Sequence, residues 1–326
     1  MGSIRLFSVG NLQIDAHHLL LLAAIALCLG LSLRAMKKAG VTSRGAWLFA
    51  VLSPLLGFML AHLFYCAMNF SSTLHDRSAA AFFQFWAGRG QYMLYGAMAG
   101  VALAAWAAAR TSRCSAGGVL DAIAPFGMLL IALVRLAQGL AGEGYGDYLE
   151  EDSPFARLPF AIYDDYYEEW AWALFLLAML VALAIFLVVC GQKSRFPGDR
   201  ALLALGLYAC AQIILESLRR DQFLRWGFVR CSQVFSAVLA LFVLLCYMRR
   251  AKGASLGKRL LGLIVFLLSM AVCLVMEFAV EQRIAWLTFL SPTACYVVSA
   301  CGCAVMALCL GTARAAVPKS QPHAGA

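Results

Sequence analysis

The stretch Arg135-Leu-Ala-Gln-Gly-Leu-Ala-Gly-Glu-Gly-Tyr-Gly146 decides how the chain is read. It closes an apolar run with an arginine, then breaks into a glycine-rich loop carrying one acid, Glu143. A charge at membrane depth is costly and marks a functional position by default. Irregular backbone survives there only inside protein or beside a water-filled cavity. Both features together imply a site for a polar group at the edge of a bilayer.

Composition excludes a soluble fold. Of 326 residues, 63% are hydrophobic, against about half in a soluble domain, and mean hydropathy is +0.80. A spanning helix needs about 20 apolar residues. Nine runs qualify: 18–36, 46–68, 92–109, 119–140, 170–190, 201–218, 231–248, 260–277 and 287–310. The expected fold is therefore all-α, a polytopic membrane bundle of about nine transmembrane helices. The first run is long enough to stay as a span, so no cleavable signal peptide is expected.

Charge orients the spans. Bases follow the first, third, fifth, seventh and ninth runs, for example Arg34, Arg110, Arg195, Arg249 and Arg314. The loop 143–169 holds nine of the seventeen acids and one base, Arg157. The positive-inside rule then puts the N-terminus outside and the C-terminus inside. Net charge of +9 reports topology here, and nucleic acid is not expected as a partner. The twelve cysteines fall mostly within spans, where they read as small apolar residues. No zinc spacing, no cysteine beside a histidine and no disulfide framework is expected.

Gln212, Glu216 and Arg219 sit at i, i+4 and i+7, one face of the sixth span. Such a face points into the bundle. It serves either as an internal Glu–Arg pair that fixes packing, or as a mount by which Glu216 holds Arg219 toward an anionic headgroup. If the fourth span is a neighbour, Arg135 and Gln138 meet this face, and two arginines clamp one phosphate. Arg219, Arg220, Arg225 and Arg230 oppose the topology signal. They read as headgroup anchors or as an anion site. His17 and His18 open the first span, and Tyr95 precedes Gly96 in the third. Each is either an interfacial anchor or a group that accepts or orients a proton. The outer segment 69–91, with Phe82, Phe83, Phe85 and Trp86, is expected to lie in the interface as an amphipathic arm.

In order and spacing, residues 9 to 245 resemble the prolipoprotein diacylglyceryl transferases of bacteria. The matching pieces are Val9-Gly10, Leu63-Phe64-Tyr65, Leu120-Asp121, Ala124-Pro125, and the signature containing Arg135, Gly142, Glu143 and Gly146. Tyr167-Glu168, Tyr208, Glu216, Arg219, Asp221 and Gln233 continue the series. The resemblance implies transfer of a diacylglyceryl group from phosphatidylglycerol to the lipobox cysteine thiol in a prolipoprotein signal peptide. It implies no metal and no organic cofactor, and a site facing the outer leaflet of the bacterial cell membrane. Arg135, His17, Tyr95 and Glu143 are the implied catalytic candidates. The headgroup would meet Arg135, Gln138, Gly142, Gly146, Gln212, Glu216 and Arg219.

The departures are specific. A family histidine aligns with Tyr95, a family asparagine with Gln138, and a family arginine with Gln212. A second family arginine, before Leu63, is absent, and a family tyrosine aligns with His17. His17 is thus a candidate to supply the base that Tyr95 replaces. Expected domains are a transferase-like core over 1–250, two further transmembrane helices over 251–314, and a disordered tail over 315–326. The competing class is a non-catalytic phospholipid- or lipoprotein-binding relative that keeps the fold. A small-solute transporter is the third class, and no paired discontinuous helices support it.

Overall fold

The computed structural model describes residues 5–9, 12–70, 79–83, 91–149, 151, 154–164, 168–220, 224–226, 229–251, 253 and 255–318. These residues form nine long helices: α1 (Ala16–Lys38), α2 (Ser43–Met68), α3 (Leu94–Ser112), α4 (Ala116–Leu140), α5 (Leu174–Gly191), α6 (Asp199–Ser217), α7 (Cys231–Arg250), α8 (Leu256–Val280) and α9 (Pro292–Ala315). The fold is the expected all-α polytopic bundle. Eight of the nine are long and apolar enough to cross a membrane. The alanine-rich α3 is not among them, which narrows the expectation of nine apolar spans.

Local chemistry sets the helix ends. Thr42, Ser115 and Ser291 cap α2, α4 and α9 by accepting the backbone N–H groups of Gly45, Gly118 and Ala294. Pro54 and Pro125 lie inside α2 and α4, a placement that buried membrane helices tolerate because neighbours satisfy the freed carbonyls. The α2–α3 contact is made by small residues. A Cβ added to Gly96 would lie 2.2 Å from the Leu60 carbonyl oxygen, and one on Gly100 would lie 2.4 Å from that of Leu56. Gly96, Gly100, Ala104 and Ala108 repeat every four residues and are buried, the pattern that lets two membrane helices touch backbone to backbone.

Short strands gather at one end of the bundle. β1 (Arg5–Val9) pairs antiparallel with β2 (Leu12–Asp15) ahead of α1. β3 (Tyr148–Leu149), β4 (Ala161–Asp164) and β5 (Glu169–Trp172) join α4 to α5 in the order β3-β5-β4. The fifth run therefore begins as strand, and its helix starts at Leu174 rather than Trp170. β6 (Arg225–Trp226) and β7 (Val229–Arg230) join α6 to α7. Of the expected interfacial arm, a 3-10 turn covers Ala79–Phe83; most of the rest lies outside the described residues.

The opposite, basic end is closed by ion pairing. Asp199 is 0% exposed. It takes three hydrogen bonds from the Arg314 guanidinium at 2.8–3.1 Å and one from the Arg195 N–H at 2.9 Å. Arg314 also donates to Gln192 Oε1 and the Lys193 carbonyl. Asp121 of α4 accepts the N–H groups of Gly198 and Ala201, capping α6 from a neighbouring helix. Val317 is buried and its carbonyl accepts from Arg195, so the first residues of the expected tail pack on the bundle; residues 319–326 lie outside the described set.

The tight α2–α3 seam makes a contrast between two glycines. Gly100→Leu is expected to lower stability by about 1–3 kcal/mol through overpacking. Gly127→Leu, on an exposed face with nothing within 4 Å, should leave it unchanged. Thermal unfolding in detergent compares the two.

Candidate functional site

The glycine-rich loop begins as a helix stop. The Gly142 N–H donates to the Gly139 carbonyl at 3.1 Å, and the Glu143 N–H to the Gln138 carbonyl at 2.9 Å. This bond pair is a Schellman motif. It needs a left-handed residue, and Gly142 supplies φ +79°. The loop then ties itself to two other elements. Gly146 donates to the Trp172 carbonyl at 2.8 Å, and Phe175 donates to the Gly144 carbonyl at 2.9 Å. Gly146 also bridges Arg219, and the Arg220 N–H reaches the Tyr145 carbonyl. A Cβ at Gly146 would sit 3.0 Å from both the Leu218 carbonyl and the Trp172 side chain. Glycine here lets the loop lie against the end of α6.

Arg135 projects from α4 across to α6. One guanidinium nitrogen donates to Gln138 Oε1 at 3.0 Å, the other to the Tyr208 hydroxyl at 3.1 Å. Among the described residues these hydrogen-bond partners are neutral. On α6, Gln212 Nε2 donates to Glu216 at 2.5 Å, and Arg219 lies 3.3 Å from the same Glu216 oxygen. Gln212 and Glu216 are each 2% exposed. Because Glu216 draws the amide donor, Gln212 Oε1 faces away, and among the described residues this buried oxygen has no hydrogen-bond partner.

These groups share one cleft. Arg135, Gln138, Gln212 and Arg219 line it with Gly144 and the apolar wall Leu174, Phe175, Ala178 and Leu215. Its cavity volume is about 10 Å³, roughly the room of one water. Gly142 and Glu143 are exposed beside it on the loop, and Gly146 is buried behind. Tyr95 lies deeper. Its hydroxyl hydrogen-bonds Ser236 Oγ, its ring stacks on Phe235, and it is within electrostatic range of Tyr208, Glu216 and Arg135. His17 does not line the cleft. It heads α1 with Nδ1 4.0 Å from the Asp15 carboxylate and its ring 3.9 Å from that of His18.

The four arginines of the α6–α7 segment turn inward, against the anchoring reading. Arg219 pairs with Glu216, Arg220 lies 3.8 Å over the Tyr148 ring, and Arg225 bonds Glu281 at 2.7 Å. Arg230 is 2% exposed and donates to the Arg219 carbonyl at 2.5 Å. A second correction concerns cysteine. Cys66 Sγ lies 3.4 Å from His62 Nε2, both buried, with His62 Nδ1 against the Gln91 carbonyl. Their four-residue spacing on one helix face is the signal that could have found the pair. Tyr167 and Asp221 lie outside the described residues.

Arginines from two helices thus meet at one end of the bundle, around a narrow cleft with the buried Glu216 beside it. The chain belongs to the prolipoprotein diacylglyceryl transferase family, whose family model matches residues 5–249. Phosphatidylglycerol–prolipoprotein diacylglyceryl transferases of Streptococcus suis, strains 05ZYH33 and 98HAH33, are each 26% identical to it over 213 residues. Those alignments cover 63% of this chain and 77% of each relative.

The loop geometry yields its own check. Gly142→Ala places a side chain at φ +79° and is expected to cost about 1 kcal/mol. Gly142→Asn should cost less, since asparagine tolerates the left-handed region. Thermal melting in detergent measures the order.

Proposed function

We propose that the protein is a membrane transferase that moves a diacylglyceryl group from phosphatidylglycerol to the lipobox cysteine thiol of a prolipoprotein. One observation carries the reading: Arg135 and Arg219, from separate helices, line a single cleft beside the orphan acceptor Gln212 Oε1. Phosphatidylglycerol carries a group suited to each. Its phosphate suits the two guanidinium groups, which present planar forks of donors. A glycerol hydroxyl would donate to Gln212 Oε1, relieving a buried acceptor that is costly to leave unpaired. The family arginine at that position is a donor only, so Gln212 changes what is read there from charge to hydroxyl.

The transfer needs three things from the chain. The cysteine must lose its proton, because the thiolate is the nucleophile. Its sulfur then bonds to the diacylglyceryl carbon as the carbon–oxygen bond to phosphate breaks, and glycerol phosphate leaves with the electron pair. Arg135 neutralises the charge that develops on that leaving group, while Arg219 holds the headgroup phosphate as the lipid binds. His17 stands outside the cleft lining, half-buried with Asp15 behind it; it is the group we assign to take the thiol proton before the thiolate enters the cleft. Glu143, at the exposed rim, is assigned to the approach of the signal peptide, and Tyr95 to supporting the Arg135 side of the cleft. Leu174 and Phe175 must part for the headgroup, since the closed cleft has room for about one water. The lipid enters sideways from the outer leaflet of the bacterial cell membrane. Residues 1–250 form the transferase core, and 251–314 are an addition to it.

Transfer from phosphatidylglycerol to a lipobox peptide in vesicles tests the reading, and complementation of a transferase-depleted cell tests it in vivo. Retention of phosphatidylglycerol without transfer would identify a binding-only relative. Arg135→Lys, which loses the fork to Gln138 and Tyr208, should lower transfer about a hundredfold. Gln212→Leu should raise the phosphatidylglycerol concentration for half-maximal rate about tenfold.

His17→Ala should lower the rate about a hundredfold, the loss of a general base. Unaltered activity in that variant removes His17 from the mechanism.

A further inference from the structure

The helices α8 and α9 lie beyond the residues that match the family, yet α8 touches Ser217, which stands between the cleft-lining Leu215 and Arg219. Glu277 stands in the last turn of α8, the one acid of a helix whose two bases, Lys258 and Arg259, lie in its first turn. Its carboxylate accepts a hydrogen bond from Ser217, the last residue of α6. Ser217 Oγ in turn accepts from Gln233 Nε2 of α7 at 3.0 Å, and Gln233 Oε1 accepts the Arg230 N–H at 3.0 Å. The Arg230 side chain closes the circuit on the Arg219 carbonyl. Glu277 is also within electrostatic range of the Arg230 guanidinium and faces the Gln233 side chain. The same pair of helices makes two further contacts at this end. Tyr296 of α9 faces Asp147 of the glycine-rich loop, and Glu281 at the end of α8 holds Arg225.

We propose that Glu277 is a positioning residue for Arg219, acting through Ser217 and the buried Arg230, and that α8–α9 brace the cleft from outside the family core. Arg230 is nearly without solvent, so its charge must be compensated inside the protein. Glu277 supplies a negative charge within electrostatic range of Arg230. Removing that charge leaves a buried guanidinium to seek other acceptors, and its bond to the Arg219 carbonyl is the one that sets where the α6 terminus turns. Arg219 then loses its register against the cleft, while Arg135 on α4 keeps its own partners. The effect should appear as weaker headgroup capture with little change in the chemical step.

This inference rests on the preceding reading only in taking Arg219 to meet the lipid phosphate. The test uses the full chain in phosphatidylcholine vesicles with graded phosphatidylglycerol, reading both lipid retention and transfer to a lipobox peptide. Glu277→Gln keeps size and loses charge. It should weaken phosphatidylglycerol retention and raise the half-saturating concentration about tenfold, with the maximal rate within about twofold, and Glu277→Asp should recover part of the loss. Arg219→Ala should do the same, and the double variant should be no worse than Arg219→Ala alone, as expected of groups acting in one chain. Wild-type retention with Glu277→Gln, or losses that simply add, overturns the proposal. If Glu277→Gln does not fold, Ser217→Ala breaks the same chain at its middle: a shift in the same direction supports the proposal and none overturns it. A wild type that retains the lipid without transferring it removes the proposed reaction, and the retention comparison still decides the role of Glu277.

Discussion

A guanidinium held within an apolar bundle must find acceptors in the protein, and the Arg135 fork shows how this chain meets that demand. Its donors reach Gln138 one turn on and Tyr208 on α6. The charge thereby couples the two helices that carry the site. Both acceptors are neutral, so the group is placed without being neutralised, and its field remains available to an anion. The glycine-rich loop follows from the same geometry. The chain must stop its helix directly after Gln138 and run against the end of α6, which needs a left-handed glycine at 142 and a residue without a side chain at 146.

The two ends of the bundle use arginine in opposite ways. At the basic end, Arg314 is matched by Asp199 through three hydrogen bonds, with Gln192 and the Lys193 carbonyl taking further donors. That pair links α9 to the start of α6, and its electrostatic demand is met internally. At the strand-bearing end, Glu216 is shared between Gln212 and Arg219, and Gln212 Oε1 is left over. Because an unmet buried acceptor is more costly than an unmade bond in water, this is the end at which a ligand gains most by binding.

Much of the architecture was legible in the chain because lipid imposes a simple constraint: long apolar runs become helices, and bases follow alternate runs. Where a run contained strand-forming residues at its start, as in Trp170–Ala–Trp172, hydropathy could not separate sheet from helix, since both are apolar. The polar stripe of Gln212, Glu216 and Arg219 was legible for a geometric reason, as four- and three-residue steps share a helix face. The same spacing marks His62 and Cys66, although each taken alone reads as a packing residue.

The sequence by itself determined the membrane bundle, the family, and the set of polar residues at one end, since these depend on local composition, spacing and motif order. Only the tertiary structure decided which of those residues meet. It joined Arg135 to Tyr208 across 73 positions and Ser217 to Glu277 across 60, and it left His17 off the cleft lining. Contacts between helices depend on which faces pack together, and in an apolar bundle that choice rests on shape: the small-residue seam of α2 with α3, and the glycines that let one backbone lie against another.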